Sequence, residues 1–107
     1  MTICRLWRGW TTPDNADAYE QVVRGQVIPG IEARNIHGFR HIDLMRRVTG
    51  DEVEFQTLMW FDSLDAIIAF MGVDYAVSHV PAEARAVLKR FDERAAHFEV
   101  IDRRGQP

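Results

Sequence analysis

Cysteine is all but missing from this chain. Cys4 stands alone among 107 residues, which rules out an internal disulfide and leaves a thiolate metal cluster without ligands. No hydrophobic run approaches the roughly 18 apolar residues of a membrane span, so no membrane partner is expected. Neither sign of charge dominates: 13 Lys and Arg stand against 16 Asp and Glu, a net charge of -3. The arginines are dispersed apart from Arg46-Arg47 and Arg103-Arg104, and without a basic stripe nucleic acid is not an expected partner. The 7 glycines and 4 prolines are too few for a linker or a disordered chain. No G-x-G-x-x-G occurs, which argues against a Rossmann-type flavin or nicotinamide site. His37 and His41 are spaced H-x-x-x-H and His97 and Glu99 H-x-E, but the first pair falls on a loop and a strand rather than on one helix, and the second has no cysteine pair to complete a site, so no metal is expected. Ser63 and Ser78 lack the His and carboxylate of a serine hydrolase. The opening Met1–Trp10 carries Arg5 and Arg8 inside its apolar run and has no signal-peptide profile. With the lone cysteine, this points to the reducing cytoplasm.

What is present is an ordinary globular composition, 47% hydrophobic and 27% charged, in a length that fits one domain. That domain is expected over 1–102, with 103–107 as a short tail. Thr2 to Trp10 reads as a strand. Thr11-Thr12-Pro13-Asp14 supplies turn and capping residues for a helix whose Ala16, Tyr19, Val22, Val23 and Val27 recur at helical steps. Pro29-Gly30 is expected to end or bend that helix. Phe39 to Val48 reads as a second strand, joined through the hairpin turn Thr49-Gly50-Asp51 to a third. Ser63 caps a helix over Leu64–Met71 with Leu64, Ile67, Ile68 and Met71 as its stripe, and Gly72 closes it. Pro81 opens a third helix carrying Ala84, Val87, Leu88 and Phe91, and Ala95–Ile101 forms the last strand.

The order β-α-β-β-α-α-β predicts an α+β, ferredoxin-like fold: a four-stranded antiparallel sheet with all helices on one face. The third strand tests the arrangement. Val53, Phe55, Thr57, Met59 and Phe61 line one side, yet Leu58 and Trp60 make the other side apolar towards its end. A chain this short can cover only one face with its own helices, so a second copy is expected on the other. A homodimer follows.

The opening Cys4-Arg5-Leu6-Trp7-Arg8-Gly9-Trp10, the junction Phe55–Met71, Asp74-Tyr75 and the closing His97-Phe98-Glu99-Val100 together resemble the antibiotic biosynthesis monooxygenase-like group of the dimeric α+β barrel superfamily. That resemblance implies a dimer with sheets facing each other and a small pocket between sheet and helices in each subunit. It also implies a cofactor-independent oxygenase of aromatic or polyketide-like compounds, in which a deprotonated substrate reacts directly with dioxygen. His79 lies near the place where haem-degrading relatives hold a ligand histidine, and is the expected proton acceptor, since imidazole titrates near neutrality. Trp60, Phe70, Tyr75 and Trp7 are the expected pocket wall. The haem-degrading pattern is incomplete: the first strand lacks the asparagine those relatives use, and Phe70 stands in place of their tryptophan. Two other readings follow from the same residues, a non-catalytic dimeric module for a small apolar ligand and haem binding through His79. His41 and His97 could approach each other across the dimer interface, as structural residues.

Overall fold

The computed structural model describes residues Met1–Pro107. Five strands form one sheet in the order β2 (Phe39–Thr49), β3 (Glu52–Phe61), β1 (Ile3–Thr11), then β4 (Arg90–Phe91) and β5 (Ala96–Glu99), which both pair with β1. Every pairing is antiparallel. β4 and β5 are two pieces of one interrupted edge strand, because both run along the same side of β1, at Gly9–Trp10 and at Ile3–Leu6. The sheet is therefore the four-stranded ferredoxin-like one, with its last strand broken in two. The hairpin between β2 and β3 turns at Gly50, whose φ of 63° lies where side chains are disfavoured.

All helices pack on one face. Along β3, Val53, Phe55, Met59 and Phe61 are buried, and together they anchor both halves of the core. One half gathers Ala16, Tyr19, Val23 and Ala84 over Val53 and Phe55; the other gathers Ile31, Ala66, Ile67 and Phe70 over Met59 and Phe61. The capped helix α3 spans Leu64–Met71 as expected, with Ser63 Oγ accepting from the Ala66 amide and Gly72 closing it at φ 90°. Its buried side is Ala66, Ile67 and Phe70, whereas Leu64 is exposed. The stripe is thus rotated from the expected one, towards the face that seats the largest ring against Phe61.

Two further expectations are corrected. Of the two alternatives at Pro29-Gly30, an end or a bend, the end is overturned: α1 (Ala16–Val22) continues through a π-helical turn, Val23–Val27, into α2 (Ile28–Glu32). Pro29 has no N–H to donate, and the wider turn before it absorbs that loss, with the Ile28 amide reaching back to Val23 O. The helix opened by Pro81 is only α4 (Ala82–Arg85). Val87 and Leu88 pack on the core without being helical, and from Lys89 the chain is captured by the edge of β1, its amide bonding Trp10 O at 2.8 Å. No helix is long and apolar enough to cross a membrane.

Candidate functional site

Between the sheet and the helices lies a cavity of about 50 Å³. β1 contributes Arg5 and Trp7, β3 contributes Thr57 and Met59, α1 contributes Tyr19, α3 contributes Phe70, and the segment before α4 contributes His79. Period-two alternation explains the β1 pair: Arg5 and Trp7 share the helix-facing side, while Leu6 and Arg8 point to the other.

Trp7 is held firmly. Its indole N–H is shared between Ser78 Oγ at 3.0 Å and Asp92 O at 2.8 Å, and Ser78 donates its own hydroxyl to Asp92 O. On the other side of the ring, a Cβ at Gly9 would meet Trp7 at 2.8 Å and Leu88 at 3.0 Å, so only glycine lets the indole lie this close to β1.

His79 sits exposed at the cavity mouth, edge-on to Phe70 with ring centroids 5.4 Å apart. Desolvation lowers its pKa from the ordinary histidine value, and the positive charges of Arg34 and Arg5 lower it further. Neutral at pH 7, it is free to accept a proton, and no hydrogen bond within the chain engages the ring. Tyr19 is almost fully buried, edge-on to Phe55 at 4.7 Å, and desolvation raises the pKa of its phenol. The cavity therefore offers one neutral base and one neutral phenol.

Of the five residues expected from sequence, the structure brings three together: His79, Phe70 and Trp7. Trp60 is elsewhere, on the opposite face of the sheet, edge-on to His41 at 4.7 Å. Tyr75 does not line the cavity: it lies in the non-helical stretch 72–80, and its ring packs on His97 at 5.1 Å. His97 and His41 lie on opposite faces of the sheet, and the His97 ring is 3.0 Å from Arg5 Nη1. Sequence reasoning missed Arg5, Tyr19 and Thr57. Alternation carried the signal for Arg5, which must share a face with Trp7; Tyr19 was legible only as part of a helical stripe. No group of three His, Cys, Asp or Glu is placed to hold a metal ion.

The architecture is that of a ferredoxin-like α+β sheet with one side left bare of helices and a pocket under the helices on the other. No family model matches the chain and no curated protein matches it, but solved structures do. SnoaB, a cofactor-independent oxygenase from Streptomyces nogalater, superposes with a TM-score of 0.64 at 16% identity, over 95% of each chain. A monooxygenase from the gene ActVA-Orf6 of Streptomyces coelicolor, in complex with the ligand nanaomycin D, gives 0.60 at 14% identity, over 99% of this chain and 92% of that one. MhuD, with two manganese protoporphyrin IX bound per active site, gives 0.62 at 19% identity, over 97% and 99%. The chain has the fold of the antibiotic biosynthesis monooxygenases.

Proposed function

We propose that this protein is a cofactor-independent monooxygenase-like enzyme that binds an aromatic or polyketide-like small molecule in the cavity, with His79 as the proton acceptor. The observation that carries the reading is a neutral imidazole at the mouth of a mostly apolar cavity walled by Trp7 and Phe70, in a fold shared with cofactor-independent oxygenases. An anthrone-type substrate would lose a C–H proton to His79, and the resulting anion would add dioxygen. The peroxide anion takes that proton back from His79, and loss of water from the hydroperoxide leaves a new carbonyl. Dioxygen supplies both the inserted oxygen atom and the oxidising equivalents, so no bound redox group is required. A dry, apolar site suits that sequence because water would quench the anion.

Oxygen uptake with anthrone and dihydroquinone substrates tests this. His79→Ala is expected to lower the rate about 100-fold, the lower range for removal of a general base. An unchanged rate removes the assignment.

The second reading is a non-catalytic dimeric module that binds a small apolar ligand. At about 50 Å³ the closed cavity is smaller than the dry cavity of about 150 Å³ that takes benzene, so under either reading the walls must part to admit a ring. A small ligand retained through purification, with no oxygen uptake across an aromatic panel, would establish this reading instead. Haem fits less well: the closed cavity beside His79, about 50 Å³, is far smaller than a porphyrin.

The homodimer belongs to the same proposal. The face of the sheet away from the helices displays Leu6, Leu58, Trp60, Met45 and Phe98, with Phe98 55% and Met45 47% exposed, and a second copy of that face would cover it. A cytoplasmic location also belongs to this reading.

A further inference from the structure

Arg5 is the most deeply buried charged side chain in the protein, 3% exposed, and it forms no ion pair. Its guanidinium donates to the main-chain carbonyls of Tyr75 and, at 2.9 Å, of Val77, and stands 3.0 Å from His97 Nε2. Arginine has five N–H donors in a fixed fork. Three are directed at those acceptors, and two are left beside the cavity that Arg5 lines.

The surroundings reinforce the charge. No Asp or Glu is among the fifteen residues that line the cavity. The Phe70 ring lies 5.7 Å from the Arg5 guanidinium and 5.2 Å from that of Arg34. His79 and His97, the other titratable groups beside Arg5, have their pKa values lowered by desolvation and by its charge. A protein with net charge -3 therefore encloses a cavity whose field is positive. Burying a charge without a counter-charge is costly, and a ligand that supplies the counter-charge recovers part of that cost.

We propose that the cavity selects an aromatic organic anion, and that Arg5 is the specificity-determining residue, placing its free N–H groups on the ligand's ionised oxygen. The inference rests on the reading of this cavity as the ligand site, and it deepens that reading by naming the substrate class. Such a ligand is an aromatic carboxylate or an acidic phenol ionised at neutral pH. A ring exceeds the closed volume of about 50 Å³, so its entry widens the cavity, with the ring against Phe70 and Trp7 and its charge towards the β1 end.

Benzoate and benzamide, nearly equal in shape and differing in charge, are the probes. Each is titrated into the protein at pH 7 and followed by the chemical shifts of the Trp7 indole proton and the His79 ring protons. Wild type is expected to bind benzoate at least tenfold more tightly than benzamide, and Arg5→Gln is expected to bring the two within threefold. Since Arg5 also holds the Tyr75 and Val77 carbonyls, the charge-keeping Arg5→Lys is the companion variant: it should keep the preference for benzoate at reduced affinity. Equal affinities in wild type, a benzoate preference that survives Arg5→Gln, or no shift with either probe at millimolar concentration would each overturn the proposal. Oxygen uptake plays no part in this measurement. Anion preference without turnover would sink the oxygenase reading alone, and turnover without anion preference would sink this one alone.

Discussion

His79 has the protonation behaviour of a base only if its environment keeps it neutral, and the environment does so by two means. Desolvation acts first, and the guanidinium groups of Arg34 and Arg5 add to it. A histidine with a pKa below the usual value of about 6.5 is mostly unprotonated at pH 7. As pH falls through that lowered pKa it takes up a proton and loses its basicity, so kcat/KM should decline with a midpoint below pH 6.5. Arg34→Gln removes one of the two charges and should move that acid limb upwards, towards 6.5, in a pH–rate profile. A rate that rises on acidification from pH 7 to 5 would show that His79 is not the base. Reading these residues from sequence places His79 beside the pocket, and the structure has it at the cavity mouth. The same reading fails for Arg5. An arginine between Cys4 and Leu6 on an apolar strand looks like a solvated charge, and only the carbonyls of Tyr75 and Val77, some 70 residues away, make burial affordable.

At the scale of elements, the limits of the helix that carries Phe70 were legible, though not its buried face, because local chemistry sets them: a serine cap, a short apolar run and a glycine in a left-handed conformation. Ser63→Ala should cost about 1 kcal/mol of stability through the lost bond to the Ala66 amide. Chemical denaturation would measure it, and a loss near zero would mean that the cap is redundant with packing. The ends of α2 and α4 were not legible. Proline usually stops a helix, but a π turn placed before Pro29 keeps Ile31 in the core. Likewise Ala84, Val87 and Leu88 have helical spacing, yet the unpaired edge of β1 outcompetes helix formation after Arg85. In both cases the deciding interaction is non-local.

The whole molecule is a slab, 39 × 35 × 22 Å, whose thin dimension is one sheet plus one layer of helices. Its Cα radius of gyration is 14.2 Å, against about 13 Å for a compact chain of this length. Its accessible surface is 6733 Å², where a monomer of its mass should expose about 6,100 Å². The surplus is comparable with one side of a modest interface, roughly 800 Å². Sedimentation at micromolar concentration should therefore give twice the chain mass of 12.4 kDa, and Leu58→Lys should halve it by placing a charge beside Leu6 on the bare face. A wild-type chain that sediments singly would remove the dimer.

The clamping of Trp7 between Gly9 and the Ser78–Asp92 pair has a consequence for how anything larger than water gets in. One wall of the chamber cannot yield, because main chain blocks the indole on one flank and two acceptors fasten it on the other. Residues 72–80 make no helix, yet they are fastened to the sheet and its edge: Arg5 donates to the Tyr75 and Val77 carbonyls, Trp7 to Ser78 Oγ, and the Ser78 amide to Glu93 O at 2.9 Å. The doorway beside His79 is therefore latched, and a guest enters only by loosening those bonds.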